Sequence, residues 1–291
     1  MVQRPLPDSA RERAPPSVLT LYLHPSVYNL SRSYHAFIFP ESNPMAPPRA
    51  SRSRKVKTEV SEEKPAKTKA VEARVKADGT QGELMRLALK ACLIARDATF
   101  NIQDLLTNSS RMAYLAIRDC EKELDQIERQ IDERLPGAIT RVNERKARQL
   151  LACLKCITDL ERIGDLVMGV AQRVQARSGQ LPGSDVRHLV QMSAILHDML
   201  EDIYRGFVSL DIENARRVLR VDAELDRICH AMFQRYLSDT VREKDSLAFD
   251  VLLMAQALER SGDHAKNLAE ELYGLIEGHT LRHLPKRVVV P

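Results

Sequence analysis

The sequence predicts an all-α protein in which two tandem, pseudo-symmetric three-helix bundles follow a disordered N-terminal tail. From Glu83 onward, apolar residues recur every three or four positions, which is the period of an amphipathic helix. The segment that begins at Leu160 returns almost unchanged at Leu258, so equivalent residues lie 98 positions apart. The chain of 291 residues has 11 glycines, too few for an all-β fold with many tight turns. We therefore expect two helical repeats, at residues 81–178 and 184–280.

Residues 1–80 differ from the rest of the chain in composition and charge. They carry a net charge of +6, whereas the remainder carries −2, so the basic character of the protein belongs to this segment. Ten of the 14 prolines lie between Pro5 and Pro65. Such a segment buries too little apolar area to offset the entropy of ordering its backbone, and we expect it to be disordered. It is either a solvated leader, with the true start at Met45 or Met85, or an electrostatic tether to an anionic membrane or partner.

The first repeat is predicted to contain three helices. The first has an apolar stripe over 84–105, and the polar run 108–110 supplies residues that end it and cap the next helix. The second has its stripe over 113–131, and Pro136-Gly137 is expected to end it. The third is a long helix over about 142–177.

The second repeat shows the same order of helices. Ser184 is placed to cap the fourth helix, whose apolar stripe covers 189–203. Asp211 is a plausible cap for the fifth helix, whose stripe covers 218–232. The sixth helix is expected over about 244–276. It overlays the third helix at an offset of 98 residues, and the fifth overlays the second at an offset of 101.

Carboxylates gather along the edges of the apolar stripes on the second and third helices. On the second helix they form a row with steps of four, three and four residues and no Lys or Arg in that row, namely Glu121, Asp125, Glu128 and Asp132. A row of like charges on one helix face is unfavourable unless something compensates it. The third helix adds Glu161 and Asp165, one turn apart. Because neighbouring antiparallel helices face each other, we expect these carboxylates to converge.

The second repeat keeps the arrangement with a shorter acidic row. Asp222 and Asp226 lie on the fifth helix, and Glu259 and Asp263 lie on the sixth. At the positions equivalent to Glu128 and Asp132, this repeat has Cys229 and Phe233 instead. The candidate metal ligands are therefore Glu121, Asp125, Glu161, Asp165, Asp222, Asp226, Glu259 and Asp263, with Glu128, Asn267 and Glu270 as possible additions.

Carboxylates without His or Cys favour hard cations such as Mg²⁺, Mn²⁺, Ca²⁺ or iron over zinc. The alternative is that these side chains pair with Arg162, Arg260 and other bases on ordinary solvated helix faces. The same acidic pairs recur at equivalent positions of both repeats, and this repetition supports the metal hypothesis. Gly164 and Gly262, each about 1 kcal/mol less favourable than Ala inside a helix, indicate that a neighbouring helix packs closely there.

Other features of the sequence exclude several classes of function. The five cysteines all lie in helical patterns, and without a secretory signal their odd number suggests reduced thiols in the cytosol. Cys153 and Cys156 have the CxxC spacing but lack a second pair, so we interpret them as small buried hydrophobes. No stretch is apolar for long enough to cross a bilayer, and the body of the chain shows no basic surface that would favour nucleic-acid binding.

The doubled Glu-x-x-x-Asp motif, on the third helix of each repeat, resembles the hallmark of the PhoU family of phosphate-signalling regulators. The matching segments are 159–165 and 258–270, and the acidic pairs on the second helices resemble the acidic positions of that family. The resemblance covers about 83–277. One departure is Gly169, which stands where the second copy has Asn267.

This resemblance implies carboxylate-bound metal clusters, often of iron or zinc, with Mg and Mn as further candidates. It implies a non-enzymatic role in keeping the phosphate-starvation response off, through contacts with the ATPase subunit of a phosphate ABC transporter and with a sensor histidine kinase. It also implies a cytoplasmic homodimer that neither binds nucleic acid nor inserts into the membrane.

Two other functions compete with this assignment. A carboxylate-bridged di-iron oxidase or iron store of the ferritin type needs Glu-x-x-His motifs, and the chain contains none. A helical adaptor with solvated acidic faces and no metal is the other possibility. The sequence also lacks a nucleophile–base set and a Gly-rich phosphate loop, which favours protein contacts over catalysis.

Overall fold

The structure is a computed structural model in which residues 79–238 and 246–278 are described. These residues form six α-helices, which confirms the predicted all-α class: α1 (Gly79–Asn108), α2 (Arg111–Ile139), α3 (Glu144–Ala176), α4 (Gly183–Ser209), α5 (Ile212–Ser238) and α6 (Ser246–Glu277). None of the six contains a stretch long and apolar enough to traverse a lipid bilayer.

The helices pack as two groups of three. Within each group, every helix contacts the other two: α1, α2 and α3 form one bundle, and α4, α5 and α6 form the other. The bundles meet through α1 against α4 and through α3 against α6, and the α3–α6 contact is the most extensive in the described part of the chain. Among the six described helices, α2 and α5 therefore each contact only those of their own bundle.

One apolar core runs through both bundles. Its buried side chains come from all six helices, and residues at the predicted stripe positions, such as Leu84, Ile157 and Leu272, are fully enclosed. Leu, Ile, Val, Ala and Met supply most of this core, as expected for a helical protein that lacks Trp. Each buried Leu or Ile contributes about 1.5–3 kcal/mol relative to an exposed one, so apolar burial is what holds the repeats together.

Two of the predicted helix caps are confirmed and one is wrong. Oγ of Ser110 accepts a hydrogen bond from the backbone N–H of Ala113 at 3.2 Å and caps α2. Oδ1 of Asp211 accepts from the N–H of Glu213 at 3.0 Å at the start of α5. Ser184, however, already lies inside α4. The helix begins after Pro182, whose extended backbone presents its carbonyl to the first-turn N–H groups.

The predicted end of the second helix is also wrong. Pro136 and Gly137 lie inside α2, which continues to Ile139. A proline removes one backbone hydrogen bond and crowds the preceding turn. Here the last turn is held by apolar packing, because Leu135 and Ala138 are both buried. The helix therefore ends shortly after the proline rather than at it.

Some predicted segments lie outside the described residues. Of the predicted tail at 1–80, the structure describes only Gly79 and Thr80, which begin α1. The sixth helix was expected from about residue 244, but residues 239–245 are likewise not described, and α6 is described from Ser246.

Candidate metal centre

The first carboxylate cluster lies between α2 and α3. Glu121 and Asp125 are one turn apart on α2, and Asp165 approaches them from α3. One oxygen from each of the three side chains lies within 4.8 Å of the others. In the described part of the chain, no other group of three or more His, Cys, Asp or Glu side chains meets that distance.

A close contact between the Leu124 side chain of α2 and Gly164 of α3 brings this cluster together. A methyl group in place of the Gly164 hydrogen would lie 2.6 Å from Cδ1 of Leu124, closer than packed carbon atoms approach. With any larger residue at position 164, the Leu124 side chain or the helix would have to shift. Since Asp165 follows Gly164 and Asp125 follows Leu124 in the chain, the same contact sets the separation of the carboxylates.

Glu161 and Glu128 extend the cluster. The pKa of Glu161 is raised to about 7, first by burial and then by the charges of Asp165 and Glu128, while the charge of Arg162 opposes the rise. Burial also raises the pKa of Glu128, with contributions from Asp132, Asp125 and Asp165. Near pH 7 Glu161 thus holds a proton for part of the time, because burial and the neighbouring negative charges both disfavour its ionised form.

The pKa of Glu121 is raised for the same reasons. Burial contributes most, followed by the charges of Asp125 and Asp165. Like charges that raise each other's pKa within one site are relieved by a bound cation as well as by a proton. The donor set therefore fits a hard cation held by carboxylate oxygens.

Arg162 and Lys122 are basic groups beside this cluster, and the charge of Lys122 lowers the pKa of Glu121. The guanidinium of Arg162 lies 3.5 Å from an oxygen of Asp165 and 3.6 Å from an oxygen of Glu161, and its side chain is 59% exposed. An exposed ion pair of this kind is worth about 0–1 kcal/mol. The pairing expected for an ordinary solvated face is thus present, but it leaves most of the negative charge of the cluster uncompensated.

The second carboxylate cluster lies between α5 and α6 and repeats the close helix contact. A methyl group on Gly262 would lie 2.5 Å from Cδ1 of Leu225, the equivalent of Leu124. Burial raises the pKa of Glu259, followed by the charges of Asp263, Asp226 and Asp222, so these four carboxylates form one electrostatic group.

A lysine occupies part of this second cluster. The ammonium group of Lys266 on α6 forms an ion pair with the carboxylate of Asp222, which is buried. The sequence analysis assigned no role to Lys266. Its position one turn after Asp263 was the available signal, because residues three apart on a helix share a face.

The possible additional ligands lie in different surroundings. Glu128 belongs to the first cluster, as described above. Asn267 donates a hydrogen bond from Nδ2 to Asp159 on α3 at 3.2 Å, and Nδ1 of His264 donates to the same carboxylate at 2.8 Å. Asn267 is thus engaged at the contact between the bundles, while Glu270 is partly buried one turn further along α6.

The sequence analysis did not identify Asp159 as a residue that contacts another helix. It is almost completely buried, at 9% exposure, and joins α3 to α6 two residues before Glu161. The sequence contains it in the first copy of the motif, but the partner helix cannot be identified from the sequence.

The cysteines are free thiols in the described residues. Burial raises the pKa of Cys92 and of Cys153 to about 12, so both stay protonated at neutral pH. Their Sγ atoms donate to the carbonyl oxygens of Leu200 and Leu84. A protonated thiol is a poor nucleophile and a poor metal ligand.

Comparison with known proteins gives the same family for both bundles. The PhoU domain matches residues 86–174 and 189–272. A "phosphate-specific transport system accessory protein PhoU homolog" from a Burkholderia species is 32% identical over 189 residues, covering 62% of this chain and 80% of the relative. PhoU homolog 1 from Thermotoga maritima is 27% identical over 202 residues, covering 67% and 86%.

Solved structures share the fold. The phosphate transport system regulatory protein PhoU from Streptococcus pneumoniae superposes with a TM-score of 0.63 at 19% identity, covering 72% of this chain and 99% of that one. PhoU from Pseudomonas aeruginosa gives a TM-score of 0.55 at 25% identity, covering 73% and 98%. With its two matched domains and its duplicated helical fold, the chain belongs to the PhoU family.

Proposed function

We propose that this protein is an accessory regulator of a phosphate transport system. It restrains phosphate uptake and phosphate-starvation signalling through protein contacts rather than catalysis. The observation that carries this proposal is the match of the PhoU domain to each of the two three-helix bundles. The names of the relatives, as phosphate-specific transport system accessory proteins, support the same role.

The proposed partners are the ATPase subunit of a phosphate ABC transporter and a phosphate-sensing histidine kinase. The protein would act at the cytoplasmic side of the membrane, as a homodimer. Within the described residues, α2 and α5 contact no helix of the other bundle, so each has a long face on which such contacts could form. Affinity purification of the full-length protein from phosphate-replete cells should recover the ATPase subunit.

The first cluster is proposed to hold the metal. Glu121, Asp125 and Asp165 supply the converging oxygens, and Glu161 and Glu128 complete the acidic surroundings. Oxygen-only ligands fit manganese, magnesium or iron better than zinc, which prefers nitrogen and sulfur. When bound, the cation would clamp α2 to α3 by offsetting the repulsion between their carboxylates. The role of this metal is either structural, in clamping the two helices, or regulatory, and a helical adaptor that lacks metal is the competing outcome.

Gene deletion and complementation test the regulatory role. At high phosphate, deletion should derepress a phosphate-starvation promoter and raise phosphate uptake, and the wild-type gene should restore repression. Unchanged expression and uptake in the deletion strain would refute the proposal.

Complementation with the double variant Asp125→Asn/Asp165→Asn then shows whether repression needs the first cluster. Elemental analysis of protein purified without an affinity tag measures which metal is bound and how much of it is bound per chain.

A further inference from the structure

The two carboxylate clusters differ in one cationic side chain. We propose that Lys266 is the resident cation of the second cluster, so that in each chain only the first cluster takes up metal. This inference rests on the metal binding proposed above for the first cluster. It concerns the difference between two sites that the duplicated motif makes look equivalent.

The ion pair between Lys266 and Asp222 lies well inside the second cluster. The Lys266 side chain is 29% exposed and that of Asp222 is 7% exposed. Although burial lowers the pKa of Lys266, its hydrogen bond to Asp222 and the charges of Asp222, Asp263 and Asp226 together raise it. The ammonium group therefore stays charged and is attracted by three of the four carboxylates on which a metal would depend.

The first cluster has no counterpart to this lysine. The position equivalent to Lys266, at the 98-residue offset, is Met168, which is apolar and buried. Both clusters carry an arginine directly after their first motif glutamate, Arg162 in one and Arg260 in the other, so the arginines do not distinguish them. Lys122 beside the first cluster is exposed to solvent, whereas Lys266 is paired with a buried carboxylate of the second.

The second cluster also presents fewer carboxylates. Where the first has Glu128 and Asp132, the second has Cys229 and Phe233. Burial and the neighbouring charges of Glu259 and Asp226 raise the pKa of Cys229 to about 11, so this thiol adds no negative charge at neutral pH. With less charge to compensate, one ammonium group does for the second cluster what a divalent ion would do for the first.

A metal ion could enter the second cluster only by displacing Lys266. The ammonium group would then lose its partner in a partly buried position, and an uncompensated buried charge is strongly unfavourable. In the first cluster, a metal would displace protons and the guanidinium of Arg162, whose side chain is 59% exposed and returns to water at little cost. The geometry agrees, because three carboxylate oxygens converge within 4.8 Å in the first cluster, and no such group occurs in the described residues of the second.

The test measures Mn²⁺ bound per chain in full-length, untagged protein, by elemental analysis after gel filtration. Lys266→Met, which copies Met168, should about double the Mn²⁺ bound relative to wild type. The double variant Asp125→Asn/Asp165→Asn should remove nearly all Mn²⁺ from the wild-type background. The triple variant Asp125→Asn/Asp165→Asn/Lys266→Met should still bind the Mn²⁺ that Lys266→Met adds. Adding Asp226→Asn/Asp263→Asn to this triple variant should then remove that Mn²⁺.

Two results would overturn the inference. In the first, the Asp125→Asn/Asp165→Asn protein, which keeps Lys266, still binds Mn²⁺, and adding Asp226→Asn/Asp263→Asn removes it. In the second, folded Lys266→Met and Lys266→Gln proteins, checked by circular dichroism, both bind no more Mn²⁺ than wild type. If wild type binds no Mn²⁺ but Lys266→Met does, the metal site proposed for the first cluster fails and the assignment of Lys266 stands.

A reciprocal variant tests the same idea in the first repeat. Met168→Lys places an ammonium group where Glu121, the equivalent of Asp222, can pair with it. We expect this variant to lose most of the Mn²⁺ bound by wild type. Met168→Leu is the control that keeps the volume and the apolar character, and it should retain that Mn²⁺. Equal Mn²⁺ in both variants would contradict the inference.

Discussion

Gly164 of α3 lies directly against Leu124 of α2, and the same contact recurs between Gly262 of α6 and Leu225 of α5. In each case the glycine precedes the motif aspartate and the leucine precedes an acidic residue of the facing helix. The contact therefore couples the packing of two helices to the placement of their carboxylates. It also confirms the close approach that the two mid-helix glycines predicted.

Gly164→Ala should destabilise the protein by about 1–3 kcal/mol, because the added methyl group overpacks the contact with Leu124. The gain in helix propensity, about 1 kcal/mol, offsets part of this. Gly137→Ala is the matched control, since a methyl group there meets nothing within 4 Å, and it should be neutral or stabilising. Urea unfolding measures both, and equal stability of the two variants would contradict the packing argument.

Asp165→Asn should stabilise the metal-free protein by about 0.5–1 kcal/mol, because it removes several like-charge pairs from the first cluster. In wild type, Mn²⁺ at about 100 times its Kd should add about 2.7 kcal/mol to the free energy of unfolding. The variant should lose most of that gain. Asp119→Asn, on the exposed side of α2, should change neither value. Thermal unfolding with EDTA and with Mn²⁺ makes the comparison.

The affinity for Mn²⁺ should depend on pH through Glu161. Its pKa is raised to about 7 without metal, and the ion needs the ionised form. The affinity should therefore fall about tenfold per pH unit below 7 for each proton displaced. Glu161→Gln should bind Mn²⁺ more weakly and with a flatter pH dependence. Titrations at several pH values between 5.5 and 7.5 test this, and an unchanged slope in the variant would contradict the role of Glu161.

Without metal, the stability of the protein should change with pH in the opposite direction. Since the pKa of Glu161 is raised in the folded state from 4.5 to about 7, protonation stabilises the fold. That contribution is fully present below about pH 4.5 and is lost as the pH rises through 7. After allowance for solvent screening it amounts to about 1 kcal/mol, or about 2–4 °C in Tm. Glu161→Gln in EDTA should lack this part of the dependence.

Asp159→Ala should weaken the contact between the bundles. The variant removes the acceptor for both His264 and Asn267, and leaving such groups unpaired costs about 1–3 kcal/mol. Arg148→Ala is the control on α3, because its ion pair with Glu144 is exposed on both sides and is worth about 0–1 kcal/mol. Urea unfolding should separate the two variants.

Much of the fold could be predicted because helices are set by local patterns. A side chain's burial follows from its position in the three-four repeat, and residues such as Ile117, Leu160 and Leu258 are buried as their stripes require. The cap at Ser110 follows from residue type and position. Two local predictions were wrong. The carbonyl of Pro182, rather than Ser184, caps α4, and α2 continues past Pro136 because its last turn is buried.

The candidate site was predictable only in part. The acidic rows and the duplicated motif identified Glu121, Asp125 and Asp165, whose oxygens do converge. The partners of the other polar groups were not predictable. The pairing of Lys266 with Asp222 and that of Asp159 with Asn267 each join residues more than 40 positions apart.

The sequence alone determined the helices, the duplication and the family, because these depend on periodicity and on a motif that can be read along the chain. The tertiary structure decided that α3 packs on α6, which carboxylates share a cluster, and that Lys266 pairs with Asp222. Those outcomes depend on how each helix is rotated about its axis and on which faces meet. Packing between distant segments sets that rotation, and no local stretch of sequence encodes it.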